Sequence, residues 1–257
     1  MKRSELERND KYILSSVDNA LAMLNLFYAT DELSASDVAN RMNIGRSTAF
    51  RFLVTLENRG FLTKTESGKY RLGIKLFSLG QLAYSRMELI SLIHPFIVNV
   101  ASEGGETSHL AILDDITHVV FIDKAIGTRY LKMDTPIGFR QYAHLTATGK
   151  AILANQPEQV LNQYVKRVEF KKKTKNSIPS AKVLLETLDM VRKQSYACDN
   201  EEAEPGLSCF AVPIFDASHT AIAAISVSGP TVRLVEDREM HLVRLRNAAD
   251  KIIELLN

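Results

Sequence analysis

Apolar residues recur at helical spacing near the start of the chain. They predict a first helix from Ser16 or Asp18 to about Tyr28. The side chains expected to face the core of this helix are Val17, Ala20, Leu21, Leu24 and Phe27.

Residues 34–60 predict two helices joined by a tight turn. Ser34 is a candidate N-cap for a short helix, and Asn43-Ile44-Gly45 is a turn signal. In the second helix, which begins at Arg46 or Ser47 and ends at Gly60, apolar residues recur at i, i+3, i+4 and i+7. A helix with one buried stripe and an outward face of Ser, Thr and Arg is suited to the major groove of DNA.

Two short strand-like runs follow, at residues 61–65 and 69–72, around Glu66-Ser67-Gly68. They predict a β-hairpin. A hairpin placed directly after the second helix of such a motif is a wing, and its basic side chains can reach phosphates. Together these elements predict a winged helix-turn-helix domain over residues 1–73.

The pattern changes along the rest of the chain. Residues 74–84 predict a linker helix that is apolar on more than one side, and residues 87–103 predict a helix that Pro95 bends or breaks. Strands are predicted at 107–113, 118–125, 130–133, 197–202, 208–215 and 221–228, and helices at 148–155, 157–165, 180–194 and 235–256. The fold class is therefore α+β, with a DNA-binding domain (1–73), a linker helix (74–86) and a sensor domain (87–257).

Charge and cysteine content narrow the function. Residues 1–86 carry 13 Lys and Arg against 9 Asp and Glu, whereas residues 87–257 carry 19 against 21. The basic excess thus lies on the part expected to bind DNA. Two cysteines without a CxxC pair, a charged first segment and no long apolar run predict a cytoplasmic protein without disulfides, a signal peptide or a membrane span.

These motifs resemble the IclR family of bacterial transcriptional regulators. The resemblance is carried by Ile44–Leu56 with the wing GKYRLG, and by GGETSHLAILD, HLTATGKAIL, SYACDNEEAEPGLSCFAVPIFD and AISVSGP in the second half. It implies a GAF-like effector-binding domain, a dimer formed through the DNA-binding domains and linker helices, often a dimer of dimers, and no catalysis or cofactor.

The candidate DNA contacts lie on the second helix and on the wing. Ser47 and Thr48 are suited either to DNA contact or to capping the helix. Phe50 is suited either to a thymine methyl group or to packing against the preceding helix. The full candidate set is Arg46, Ser47, Thr48, Phe50, Arg51, Thr55, Lys64, Lys69 and Arg71.

The family's effector pocket, carried over residue by residue, gives a second candidate set. Helix dipole and free N–H groups after Thr146 could hold a carboxylate, and two serines at i, i+2 face the same side of a strand. Asp199 would repel an anion, so we expect it to accept from a ligand hydroxyl or to orient a neighbour. The set is Met133, Gln141, Ala147, Thr148, Asp199, Leu207, Cys209, Ser226 and Ser228.

The sequence thus predicts a regulator, most simply a repressor of a catabolic operon, that binds operator DNA and senses a small organic or aromatic acid. An activator and an architectural DNA binder without an effector are the alternatives. A metal site is not expected, although His109, His118 and His144 could meet in space.

Overall fold

The computed structural model describes residues 12–256, and it divides into two compact units between Met87 and Glu88. Residues 1–11, which form most of the charged first segment, and the last residue lie outside the described part. No helix within residues 12–256 combines the length and apolar character that a membrane crossing needs.

The described part of the first unit contains four helices and a hairpin. Helix α1 spans Ser15–Asn25 and continues as a 3-10 turn over Leu26–Ala29. Helices α2 and α3 span Ala35–Met42 and Arg46–Asn58. The core of this unit is formed by Met23, Phe27, Leu33, Val38, Ala39, Ala49, Leu53, Leu62 and Tyr70.

The hairpin is anchored to the helices by one backbone pair. Strands β1 (Leu62–Lys64) and β2 (Tyr70–Leu72) are antiparallel. Leu33, which precedes α2, exchanges two backbone hydrogen bonds with Tyr70 at 2.9 and 3.0 Å. Helix α4 (Ile74–Tyr84) follows and buries none of its side chains.

The second unit is a six-stranded antiparallel sheet with helices packed on it. The strand order is β5-β4-β3-β8-β7-β6. The strands are β3 (Thr107–Leu113), β4 (His118–Ala125), β5 (Arg140–Tyr142), β6 (Ala197–Asn200), β7 (Leu207–Phe215) and β8 (Ala221–Pro230). The helices are α5 (Glu88–Gly104), α6 (Ala147–Ala154), α7 (Glu158–Arg167), α8 (Ala181–Gln194), α9 (Thr231–Glu236) and α10 (Arg238–Leu256).

Helix α6 is buried along its whole length, because it packs between the sheet and α8. Gly149 permits this approach: a Cβ at this position would lie 2.2 Å from the carbonyl oxygen of Ala143. The α+β fold class, with a winged helix-turn-helix unit ahead of the sheet, is confirmed.

Several predicted elements differ in the structure. Residues 130–133 form no strand, because side chains rather than a neighbouring strand bond to their backbone, whereas residues 140–142 form β5. The predicted helix 235–256 is two helices that meet at Asp237, and α5 runs through Pro95 without a break.

The predicted inward face of α1 is partly wrong. Val17 and Leu21 are more than half exposed, whereas Phe27 is buried as predicted and Met23, which was not predicted, is fully buried. The two exposed side chains line an open apolar groove between α1 and α3.

Candidate functional site

Capping residues fix both ends of α2 and the turn that leads to α3. Ser34 and Asp37 form a capping box at the start of α2. Asn43 ends that helix with a left-handed φ of 52°, a conformation that Asn tolerates better than most residues. Gly45 has a φ of −63°, so the turn does not use the extra backbone freedom of its glycine.

Helix α3 presents its polar residues to solvent. Ala49 and Leu53 are fully buried. Gly45 occupies the N-cap position and offers no side-chain cap, so neither Ser47 nor Thr48 serves as the cap. The exposed candidate contacts on this helix are Arg46, Ser47, Thr48, Phe50, Arg51 and Thr55.

Two of these side chains are constrained. The Thr55 hydroxyl donates to the Arg51 carbonyl at 2.7 Å, which leaves its oxygen free only to accept. The Phe50 ring is 50% exposed and lies outside the core, which favours an outward contact over packing on α2. The first turn carries no acidic residue, so the positive end of the helix dipole is not opposed there.

The basic residues of the hairpin point in different directions. Thr63 pairs with Arg71, and Lys64 pairs with Tyr70. Since neighbouring side chains on a strand alternate between faces, Arg71 lies on the face opposite Lys64. Lys69 belongs to the turn, where Thr65 N–H donates to its carbonyl. All three basic side chains are exposed.

In the second unit, the sheet brings distant residues into one polar row. Thr107 pairs with Ser228, Ser228 with Cys209, and Cys209 with Asp199. Ser226 lies two residues before Ser228 and therefore faces the same side. Asp199, Ser226 and Ser228 are each less than 5% exposed.

Four members of this row, Ser226, Ser228, Cys209 and Asp199, form the floor of a cavity around which the structure places all nine predicted effector residues. Thr107, at the end of the row, does not line this cavity. The space that the centre of a water molecule can occupy there is about 50 Å³, enough for a few waters. Sequence reasoning missed four further lining residues, because no local motif links them to the cavity: Phe121, Thr135, Phe139 and Ala203. Thr146 also lines the cavity, where the sequence had indicated only the N–H groups that follow it.

The start of α6 borders the cavity. Thr146 is the N-cap, and its hydroxyl accepts from the Gly149 N–H at 2.9 Å. The N–H groups of Ala147 and Thr148 belong to the first turn and have no acceptor within the helix. They are suited to an anionic group, as expected from the sequence.

A buried charged cluster lies beside Asp199. Lys150 is fully buried and pairs with Glu202. The Glu202 N–H donates to the Asp199 carboxylate at 2.7 Å. Burial raises the pKa of Asp199 to about 7, and the negative charge of Glu202 adds to the rise, whereas Lys150 opposes it. Asp199 is therefore partly neutral at neutral pH, and its repulsion of an anion is weakened.

Lysine at the rim of the cavity is a further feature that the sequence did not reveal. The Lys173 ammonium donates to the Gln141 side-chain oxygen at 2.9 Å. Its loop is fixed by Thr174 and Ser177, whose hydroxyls donate to the carbonyls of Glu201 and Glu202 at 2.7 Å. A cation thus contacts the lining residue Gln141 from a loop that is bonded to the backbone of Glu201 and Glu202.

Other chemistry is disfavoured by burial. Burial raises the pKa of the Cys209 thiol far above its ordinary value, so the thiol is not a reactive nucleophile. In the described chain, no group of three or more His, Cys, Asp and Glu side chains could hold a metal. The suggestion that His109, His118 and His144 meet as a metal site is therefore wrong.

Comparison with known proteins identifies both units. A family model described as the bacterial transcriptional regulator IclR C-terminal domain matches residues 81–254, and one described as the IclR helix-turn-helix domain matches residues 16–66. The chain is 35% identical over 254 residues to the HTH-type transcriptional regulator KdgR of Escherichia coli K12, covering 98% of this chain and 96% of that protein. It is 33% identical over 208 residues to the transcriptional repressor IclR of the same organism, covering 80% and 76%.

Solved structures agree. The Thermotoga maritima IclR structure superposes with a TM-score of 0.69 at 34% identity, covering 94% of this chain and 98% of that one. An IclR homologue from Microbacterium hydrocarbonoxydans, complexed with 4-hydroxybenzoate, shares the fold with a TM-score of 0.76 at 23% identity, covering 94% and 98%. The relatives are transcriptional regulators and not enzymes, which confirms the prediction that this chain is a regulator without catalytic activity. The chain belongs to the IclR family of bacterial transcriptional regulators.

Proposed function

We propose that this regulator is a cytoplasmic repressor of a catabolic operon, which binds operator DNA through α3 and the hairpin and releases it when a small organic acid enters the cavity of the second unit. The names of the relatives support the repressor role, since they include a transcriptional repressor and an acetate operon repressor. The relative complexed with 4-hydroxybenzoate supports an acidic effector.

The observation that carries the effector proposal is the polar row Ser228–Cys209–Asp199, with Ser226, which lines the same cavity as the first turn of α6. Hydroxyls on the sheet and N–H groups on the helix provide hydrogen bonds for a carboxylate and a hydroxyl group. Met133 and Leu207 add apolar contact. Such a mixture of apolar walls and a few placed polar groups is typical of small-molecule sites.

The DNA proposal rests on the exposed face of α3. Arg46 and Arg51 extend from the helix that follows the turn, while the hairpin places Lys69 and Arg71 for phosphate contact. A dimer would read a pseudo-palindrome with half-sites about one helical turn apart or a multiple of it.

Exposed apolar surface on the first unit supports dimerisation there. Helix α4 exposes Ile74, Phe77 and Leu82, and α1 exposes Val17 and Leu21. Large apolar side chains exposed on a helix mark a candidate protein–protein contact surface. We propose a homodimer formed through these helices, and a tetramer as a dimer of dimers. We also propose that the DNA-binding domain ends at residue 73 and that the linker helix ends at residue 86.

The test combines binding of ligand and of DNA. Small organic and aromatic acids, 4-hydroxybenzoate among them, are screened by thermal shift, because a ligand that binds only the native state raises Tm. DNA selected from a random library is then titrated with and without the stabilising acid. Weaker DNA binding in acid supports a repressor that is released by its effector, and tighter binding supports an activator. Failure of every acid to stabilise the protein or to alter DNA binding would favour the architectural alternative.

A further inference from the structure

One wall of the cavity comes from a segment without regular structure. Residues 126–139, here termed the strap, connect β4 to β5. The strap supplies Met133, Thr135 and Phe139 to the cavity. The position of this segment therefore sets the width of the cavity, which in this structure has room only for a few water molecules.

An ion pair between a buried carboxylate and a partly exposed arginine reaches the middle of the strap. The guanidinium of Arg233, on α9, forms two parallel hydrogen bonds with the Glu106 carboxylate, at 2.6 and 2.9 Å. The same guanidinium donates to the carbonyl of Leu131 at 2.7 Å. The Glu106 side chain is only 2% exposed. A fork of this kind fixes direction as well as distance.

The surrounding backbone is shaped around this pair. A Cβ at Gly229 would lie 2.4 Å from a carboxylate oxygen of Glu106, so a larger residue would displace the acid. A Cβ at Gly127, at the start of the strap, would lie 2.4 Å from the carbonyl oxygen of Gly105. Two glycines thus make room for the buried acid and for the strap beside it.

Arg233 itself is held in place by α9. Thr231 begins that helix, its N–H donates to the Gly206 carbonyl at 2.9 Å, and its hydroxyl bonds to the Ser208 hydroxyl at 3.0 Å. Leu234 is fully buried. The contacts of α9 therefore hold the Arg233 backbone in one position.

Other hydrogen bonds hold the strap after this contact, toward β5. The Thr107 hydroxyl donates to the Met133 carbonyl at 2.7 Å, and the Gly138 N–H donates to the Phe121 carbonyl at 2.8 Å. Leu131 lies before both of these points, where the strap is most exposed: Tyr130 is fully exposed and Leu131 is 68% exposed. Its carbonyl is the point at which a charged side chain holds this exposed stretch.

We propose that Glu106 and Arg233 are positioning residues of the effector cavity, which hold the strap at Leu131 and thereby fix the wall that carries Met133. Neither side chain lines the cavity. Their role is to set how far and how often the strap opens, and so to limit which acids enter. This inference uses the proposed function only for the identity of the cavity as the effector site.

The test is amide hydrogen exchange on the full chain without ligand. Arg233→Lys keeps the charge but cannot form the fork and also bond to Leu131. We expect the amides of Gly127 and Arg129, which donate to the Thr107 hydroxyl at 3.3 Å and to the Gly105 carbonyl at 3.2 Å, to exchange at least ten times faster, while the amides of Ile225–Val227 in β8 are unchanged. Arg192→Lys is the matched control, because Arg192 also pairs with an acid, Asp189, and donates to a backbone carbonyl, that of Ala154, on another part of the unit.

Two results would overturn the inference. Strap exchange within twofold of the wild-type rate would show that the ion pair does not hold the strap. Equal acceleration in the strap and in β8 would show a general loss of stability instead of positioning.

A milder variant keeps the proposal testable if Arg233→Lys does not fold. Glu106→Gln keeps a hydrogen-bond acceptor for Arg233, so we expect the same local acceleration at a smaller size, together with a changed chemical shift of the Met133 methyl group in protein labelled at methionine. An unchanged methyl signal would count against the inference. Because no ligand or DNA is present, failure here is distinct from failure of the proposed function.

Discussion

The two units place their functional residues in opposite environments. Arg46 and Arg51 of the first unit are exposed side chains on one helix. Ser228 and Asp199 of the second are buried and come from strands separated in the chain. The exposed set can change without disturbing a core, whereas the buried set is part of one. Function and stability should therefore separate in the first unit and remain linked in the second.

The largest expected effect is on the buried cluster. Lys150→Met leaves Glu202 without its partner, and breaking a buried ion pair costs about 3–5 kcal/mol. We expect a loss of this size in the unfolding free energy of the second unit, measured by chemical denaturation. Lys182→Met is the control, since Lys182 is 85% exposed in a 4.0 Å pair with Glu186. Equal unfolding free energies of the two variants would show that the buried Lys150–Glu202 pair does not stabilise the second unit.

The next effect is on the effector response. The double variant Ser226→Ala and Ser228→Ala removes two hydroxyls from the cavity floor. We expect it to abolish the change in DNA affinity that an acid causes, a coupling of about 1–3 kcal/mol in typical allosteric proteins, while DNA binding without acid stays at the wild-type level. Fluorescence anisotropy measures both quantities. A normal response in the double variant would remove these serines from the site.

A comparable change is expected for DNA binding from a single exposed residue. Arg51→Ala should weaken binding to the selected operator by about 1–3 kcal/mol if the side chain contacts a base. Its unfolding free energy should stay within about 0.5 kcal/mol of wild type, as for most surface substitutions. Lys193→Ala, which removes one positive charge from the second unit, is the control. Operator affinity unchanged by Arg51→Ala would exclude the contact.

A smaller effect follows from the buried acid. The pKa of Asp199 in the folded chain, about 7, is above its ordinary value of 3.8. Protonated Asp199 therefore contributes fully to the free energy of unfolding below pH 4, and this contribution is lost as the pH rises through 7. Asp199→Asn lacks this loss, so its stability relative to wild type should rise by about 1 kcal/mol or more between pH 5 and pH 8, since one pKa unit is about 1.4 kcal/mol. Thermal unfolding across this range checks the sign, and a constant difference would contradict it.

The smallest effect concerns the wing. Lys69→Gln should reduce the slope of log affinity against log salt by about 0.9, the value for one phosphate contact. Because phosphate contacts carry no sequence information, the loss should be equal on operator and random DNA. Arg71→Gln, at the other phosphate contact proposed for the hairpin, is measured beside it and should reduce the slope by a similar amount. A loss confined to the operator would place Lys69 on a base instead.

The sequence predicted the first unit well because its signals are local. The spacing of Ala49 and Leu53 defines α3 without reference to distant residues. The exposed Val17 and Leu21 were misplaced because apolar spacing identifies a face but not what covers it. The resemblance to the family, and not spacing, indicated the cavity residues.

The strap shows the limit of pattern reading. Residues 130–133 alternate like a strand, yet Thr107 and Arg233 satisfy their carbonyls through side chains. The link between Lys173 and Gln141 joins positions 32 residues apart. Periodicity carries no information on such contacts. The position of the strap and the contact between Lys173 and Gln141 could therefore not be predicted from the sequence.

The central claim is that occupancy of the buried cavity changes DNA binding by the exposed helix. The direct measurement is the operator affinity of wild type and of the Ser226→Ala, Ser228→Ala double variant, with and without the acid that raises Tm most. We predict an acid-induced change of about 5- to 150-fold in wild type and none in the double variant. Acid binding that leaves the operator affinity of wild type unchanged would contradict the claim.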